Sequence, residues 1–539
     1  MFAKRFKDRD AGGARLPRGK PFMSSRTDRA AAGFLTSLVQ LSTVALLQLL
    51  LVPVVVHRAG QDALGAYAAF SQILVLMSLM DLGFGVAGSR FLARAFGYED
   101  GGAAFTHALN AARRFYGYMS LTYALVAALL ATQAPRLLSL QGTLAEQARI
   151  AFLAIAIWGL VRIPLMAYPL GLIGCQRLAT LNLLTTFGNA CRIGASIILV
   201  SVGGGLLGLI AGNIVGEAAT LVLQRRAYLR TAMGGVKHIQ APDARLFKDM
   251  LSFSAHALLL NLLYYLTFYS DSIFVSYLYG PAVAAAYFAT VVPAQQAWTL
   301  ILRLMNNSVP GLNELLAKGD WEGARNAYYR ISRYSLLLAS ALSLGILGFN
   351  RVLIGIWVGP QRYAGDSITV LLAILVPWSV LENVQTQFLL AIGLAKYLSR
   401  LCLLEGCLKI VLSLVLGRLM GPEGVLLGTL AASLTIAPWI WRQSLRSLNT
   451  NPLAVARASL LPVLVWSIPL GIITMFLLAI APVSFAAWAL ALAIFGLAWC
   501  ASGWFGALSP GDQLYLREVV SRLRLSKLVL RGQPSPAKN

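Results

Sequence analysis

The chain has 539 residues, of which 58% are hydrophobic and 12% charged, with mean hydropathy +0.69 and a formal net charge of +24. That composition excludes a water-soluble domain, and apolar stretches of about 20 to 25 residues suit helices crossing a ~30 Å hydrocarbon core, where barrel strands would be half as long. The expected fold class is an all-α integral membrane protein; the positive charge reads as topology and membrane-surface attraction, with no nucleic-acid partner.

In chain order, spans are expected near 33–56, 66–89, 115–133, 149–174, 178–202, 203–224, 251–278, 281–305, 332–357, 367–392, 396–417, 423–441, 458–480 and 482–505, about fourteen transmembrane helices in all. The joins at 175–178 and around Gly203-Gly204-Gly205 are short enough to require tight antiparallel hairpins. An even number of spans puts both termini on one face, and that face carries 36 of the 45 Lys and Arg. Only Arg58, Arg136, Arg149, Arg351, Arg362 and Arg418 lie in the opposite loops. Both termini are therefore expected in the cytoplasm. The basic N-terminal tail precedes a long apolar run with no small-residue cleavage site, so span 1 reads as a retained signal anchor. Cys175, Cys191, Cys402, Cys407 and Cys500 show no metal spacing and read as free, packed thiols.

An offset of about 220 residues superimposes spans 1–6 on spans 7–12: Gly60 and Tyr67 recur as Gly280 and Tyr287, Arg113 as Arg333, Gly204 and Gly208 as Gly424 and Gly428. An even offset preserves orientation, so two six-helix lobes related by a parallel repeat are expected, plus a C-terminal helical hairpin. The division that follows is a basic tail at 1–32, an N-lobe at 33–226, a basic linker at 227–250, a C-lobe at 251–443, the hairpin at 444–505 and a basic tail at 506–539. The extramembrane connections are too short for a catalytic domain, and no phosphate-binding Gly-x-x-x-x-Gly-Lys loop or His/Glu metal signature is present. No catalytic residue, metal or cofactor is expected, and the chain reads as a transporter and not an enzyme.

Ionisable groups inside spans are costly enough to mark function. The substrate-cavity candidates are Arg90, Arg162, Arg192, Asn261, Tyr265, Asp271, Arg303 and Lys409; the coupling-ion candidates are Asp81, Glu217 and Asp271. Glu405 and Lys409 stand four apart on one helix, the favoured order for an intrahelical pair. Asp271 shares a polar helical face with Asn261, Tyr264, Tyr265 and Phe268, as expected of a helix lining a wet cavity. Tyrosines and amides there suit sugars, and buried arginines suit a pyrophosphate; the same polar groups also serve as interhelical glue.

The segment PVVVHRAGQDALGAYAAFSQILVLMSLMDLGFGVAGSR, Pro53 to Arg90, resembles the first two helices of the polysaccharide transporter, or O-antigen flippase, family. The matching elements are Pro53, Gly60, Leu64-Gly65, Tyr67, Asp81-Leu82-Gly83 and Arg90, followed by Asp271, Leu278, Gly280 and Tyr287, with Tyr279 interrupting the second Leu-Gly step. The resemblance covers roughly 33–443 and implies the multidrug/oligosaccharidyl-lipid/polysaccharide exporter superfamily, with two lobes around a cavity that opens alternately to each side. It implies movement of an undecaprenyl-diphosphate-linked glycan from the cytoplasmic to the periplasmic leaflet of the bacterial inner membrane, in lipopolysaccharide or other surface-polysaccharide biosynthesis, beside a glycan polymerase or glycosyltransferase. It also makes the terminal hairpin a candidate contact for the prenyl tail. The alternatives are a cation-coupled multidrug exporter of the same superfamily, a membrane glycosyltransferase or polymerase, and a scaffold for polysaccharide synthesis.

Overall fold

The computed structural model describes residues 26–81, 83–96, 102–231, 270–306, 318–480 and 485–508, with short pieces at 233, 247–248, 250–251, 254, 312, 314–316, 510–511 and 513–514. Among the described residues all regular structure is helical. The helices are α1 Arg26–Arg58, α2 Gln61–Met77, α3 Phe84–Ala95, α4 Ala103–Leu137, α5 Gly142–Leu165, α6 Ala167–Gly174, α7 Leu178–Ser201 and α8 Gly205–Leu229 in the first half. The second half holds α9 Asp271–Tyr279, α10 Pro281–Asn306, α11 Trp321–Trp357, α12 Asp366–Ala391, α13 Ala395–Met420, α14 Pro422–Ser447, α15 Leu461–Ile480 and α16 Phe485–Ser502. Ten helical segments among the described residues are long and apolar enough to cross a membrane.

Two expected spans are broken. The span at 66–89 ends as α2, passes through a 3-10 turn at Ser78–Asp81 and restarts as α3 after Gly83, whose φ of 70° is left-handed. Asp81 causes the restart, because its Oδ2 accepts the Gly85 N–H at 2.8 Å and so satisfies an orphan donor in the first turn of α3. The span at 149–174 breaks at Met166, two residues after Pro164, into α5 and α6.

The repeat is visible in the backbone. Gly60, between α1 and α2, has φ 91° and ψ 171°; Gly280, between α9 and α10, has φ 83° and ψ 174°, a region closed to side-chain-bearing residues. In the later hairpins the glycines pair one turn away from the expected match. A Cβ on Gly208 would meet Leu199, and one on Gly424 would meet Leu416; Gly212 faces Ser196, and Gly428 faces Ser413. Packing thus equates Gly208 with Gly424 and Gly212 with Gly428, and on the preceding helices Ser196 with Ser413. Arg192 and Lys409, each one turn before those serines, are then structural counterparts.

Packing divides the chain into two compact units. The first holds residues up to Ala289 with Trp357–Ala364 and Ala395–Ile436; the second holds Thr290–Ile356, Gly365–Leu394 and the chain from Ala437 onward. In the first unit, α7 and α8 form a tight hairpin through their glycines, and α9 lies against α2, where Gly65 leaves no room for a Cβ beside the Pro281 carbonyl. In the second unit, the terminal hairpin is fastened to α11. Arg325 donates to the Leu448 carbonyl, Tyr329 meets Thr450, Arg333 donates to the Ala458 carbonyl and Trp499 donates to the Leu337 carbonyl. Those residues of α11 recur every four positions and form one stripe. Phe349, Leu470, Ala491 and Phe495 close the apolar core beneath.

Candidate functional site

Two groups of polar side chains lie within the apolar helices of the first unit. The first is a belt across α4, α5, α7 and α8. Arg162 on α5 bonds through Nε to Glu217 Oε2 on α8 at 3.1 Å. Its Nη1 reaches the Tyr123 hydroxyl at 3.4 Å, and its guanidinium lies over the Tyr123 ring, 5.7 Å from the centroid. Trp158, one turn before Arg162, donates its indole N–H to the same Glu217 oxygen at 2.9 Å. Glu217 is one turn from Asn213, whose Oδ1 accepts from Arg192 on α7 at 3.4 Å. Two arginines therefore reach one stripe of α8 that carries a single carboxylate, leaving the belt with an excess positive charge. The Arg162 and Glu217 side chains are 21% and 40% exposed, so the pair is not sealed within the protein.

A cleft adjoins the belt, lined by Asp81, Tyr116, Tyr123 and Arg162 among Met77, Met80, Met119 and Met166. Asp81 Oδ2 is taken by the α3 cap, and the buried Tyr116 hydroxyl interacts with the same carboxylate. Methionines give such a cleft an adaptable apolar wall.

The second group is enclosed. Asp271, in the first turn of α9, is 8% exposed, and its Oδ1 accepts Lys409 Nζ from α13 at 2.8 Å. Thr429 Oγ1 on α14 stands 3.4 Å from the same oxygen, and the Tyr287 hydroxyl on α10 donates to Oδ2 at 3.0 Å. Lys409 is 0% exposed. Its bond is to Asp271 on another helix, where the sequence spacing had offered Glu405; Glu405 remains within electrostatic reach. Next to Asp271, Ser272 and Gln72 of α2 bond reciprocally: Gln72 Nε2 donates to Ser272 Oγ at 2.8 Å, and the Ser272 N–H donates to Gln72 Oε1 at 2.9 Å. Ser139 and Ser276 add hydrogen bonds between the α4–α5 turn region and α9, to the carbonyls of Tyr277 and Leu138.

Of the other sequence candidates, Arg90 is exposed on α3. Asn261, Tyr265 and the Arg303 side chain lie outside the described residues. Sequence reasoning missed Trp158, Tyr123, Asn213, Gln72, Tyr287 and Thr429 as partners. The available signals were weak: Tyr287 echoes Tyr67, and Gln72 and Asn213 are amides within apolar spans. No disulfide joins any of the five cysteines among the described residues; Cys175 is buried, whereas Cys407 and Cys500 are exposed, contrary to the packed setting expected of them.

Ten long apolar helical segments with half-buried charges among them, and no strand among the described residues, define a multi-pass membrane protein, and solved structures agree on the fold. The chain is similar to "Lipid II flippase MurJ, inward closed conformation", with TM-score 0.67 and 15% identity, covering 92% of this chain and 100% of that chain. It is also similar to inward-facing and outward-facing conformations of "a multidrug resistance MATE family transporter of the MOP superfamily", with TM-scores of 0.57 and 0.54 at 16% identity. Those matches cover 77% and 81% of this chain, and 99% and 98% of theirs. The chain belongs to the family described as "Polysaccharide biosynthesis protein", whose profile matches residues 30–310. No curated protein matches it.

Proposed function

We propose that the protein is a flippase or exporter that moves a polyprenyl-diphosphate-linked oligosaccharide from the cytoplasmic to the periplasmic leaflet by alternating access of two lobes, 33–226 and 251–443. The observation that carries this reading is the half-open belt of Arg162, Arg192, Asn213, Glu217, Tyr123 and Trp158. Two guanidiniums reaching adjacent turns of α8, with an excess positive charge, suit a pyrophosphate, and the flanking aromatic rings suit sugars. A polar path of this kind lowers the large penalty a charged headgroup meets in hydrocarbon while the prenyl chain stays in lipid. Membership of the polysaccharide biosynthesis family and the fold shared with a lipid II flippase support the reading. Surface-polysaccharide synthesis in a bacterial inner membrane, cytoplasmic termini and a partner polymerase or glycosyltransferase belong to the same proposal.

The test uses proteoliposomes holding a fluorescent undecaprenyl-diphosphate oligosaccharide and a membrane-impermeant quencher. Protein-dependent loss or gain of accessibility is expected, reduced at least tenfold by Arg162→Gln or Arg192→Gln and little changed by Arg90→Gln. Absence of flipping with several glycans would overturn the reading. Export of lipophilic cations in the same vesicles, dependent on Asp81 in the methionine-lined cleft, would establish the drug-exporter alternative instead.

A further inference from the structure

The two lobes treat equivalent intramembrane cations differently. Arg192 and Lys409 occupy matching turns before Ser196 and Ser413, and Asn213 and Thr429 each follow their hairpin glycine, Gly212 or Gly428, by one residue; Asn213 accepts from Arg192 itself, whereas Thr429 bonds the Asp271 carboxylate that Lys409 pairs. At the repeat offset set by Gly60 and Gly280, the position matching Asp271 is Leu51, which is 2% exposed. The N-lobe therefore has the cation and no carboxylate, while the C-lobe has both, joined at 2.8 Å and sealed from solvent.

The setting of the Asp271 carboxylate has a particular character. Its Oδ1 accepts the Lys409 ammonium and lies 3.4 Å from the Thr429 hydroxyl, its Oδ2 accepts the Tyr287 hydroxyl, and Glu405 stands within electrostatic reach of the ammonium. A buried carboxylate flanked by hydroxyl oxygens is the hard-oxygen setting in which hard cations are held. Here that place is taken by an ammonium on a covalent stem, which cannot leave. Asp271 is thus spared the cost of an unpaired buried charge without any cation from solution.

We propose that Lys409 is a tethered counter-cation that fills a would-be alkali-cation site at Asp271, so that the C-lobe holds α9 and α10 against α13 and α14 without binding Na+ or K+. The proposal removes Asp271 from the coupling-ion candidates and stands independently of the substrate, because its test reads the protein without one.

Full-length protein in nanodiscs is melted, by intrinsic fluorescence, in choline, sodium, potassium or ethylammonium chloride at constant ionic strength. Wild-type Tm is expected to be the same in all four. Lys409→Ala is expected to melt lower in choline and to recover saturably, by about 5 °C, with Na+, K+ or ethylammonium, which enter the vacated site. The double variant Lys409→Ala, Asp271→Asn is expected to be indifferent to every cation. Saturable stabilisation of wild type by Na+ or K+ that Asp271→Asn abolishes would overturn the proposal, as would a folded Lys409→Ala that ignores all three cations. Should Lys409→Ala fold in no salt, the double variant decides: recovery of folded protein upholds the pairing, and failure shows that Lys409 matters only as packing.

Discussion

Gln72 joins α2 to α9, and its loss offers a measure of how firmly that contact is held. The side chain is 7% exposed, Ser272 is 1% exposed, and the two bonds between them are 2.8 and 2.9 Å long. Gln72→Met keeps the length of the side chain and removes both bonds. The bond to the Ser272 hydroxyl contributes about 1 kcal/mol net, and losing the bond to the buried Ser272 N–H, which strands that donor, costs about 1 to 3 kcal/mol, so the contact weakens by roughly 2 to 4 kcal/mol. If transport requires α9 to separate from α2, the smaller figure already shifts the balance toward the separated state by about 30-fold. The assay is labelling of Ser276→Cys, a position 0% exposed on α9, by an impermeant thiol reagent in a background lacking the five native cysteines. The labelling rate is expected to rise about 30-fold when Gln72→Met is added. A change smaller than about threefold in protein that remains folded would refute the reasoning, because the α2–α9 contact would then not compete with an open state.

Three further outcomes follow from the same packing. Gly65→Val places a side chain on the Pro281 carbonyl and is expected to lower Tm by several degrees through overpacking, whereas Gly117→Ala, at a site with open space, is expected to leave it unchanged; thermal melts of both compare them. Arg333→Ala removes the donor to the Ala458 carbonyl and is expected to cost about 1 to 3 kcal/mol of local stability, read as faster limited proteolysis in the 449–460 connection, with unchanged cleavage counting against the clamp. Burial pushes the Cys175 thiol from its ordinary value up to about 11. Below that pH its thiolate fraction falls tenfold per unit, so a variant keeping only Cys175 is expected to react with maleimide at pH 7.5 about a hundredfold more slowly than an ordinary exposed thiol, and to speed up as pH rises; rapid labelling at pH 7.5 would contradict the burial.

The sequence alone determined what hydropathy and local backbone chemistry encode. Apolar run length dictates membrane helices, because a helix crossing hydrocarbon must satisfy its backbone internally. Glycine spacing located the hairpin at 203–205 and the matched turns at Gly60 and Gly280, because those conformations are closed to other residues. Intramembrane charge singled out Arg162, Arg192, Glu217, Asp271 and Lys409, because burying any of them needs a reason. Only the tertiary structure decided what each charge touches. Lys409 has Glu405 a turn away on its own helix and also bonds Asp271 on α9, and Arg162 and Arg192 reach adjacent turns of α8 through Glu217 and Asn213. The glycine hairpins slid one turn from the register that matched letters suggested, since close approach is selected by the facing helix and not by the repeat offset. The break after Asp81 has the same origin, because a carboxylate that caps a new helix is indistinguishable in hydropathy from one carried within a continuous span.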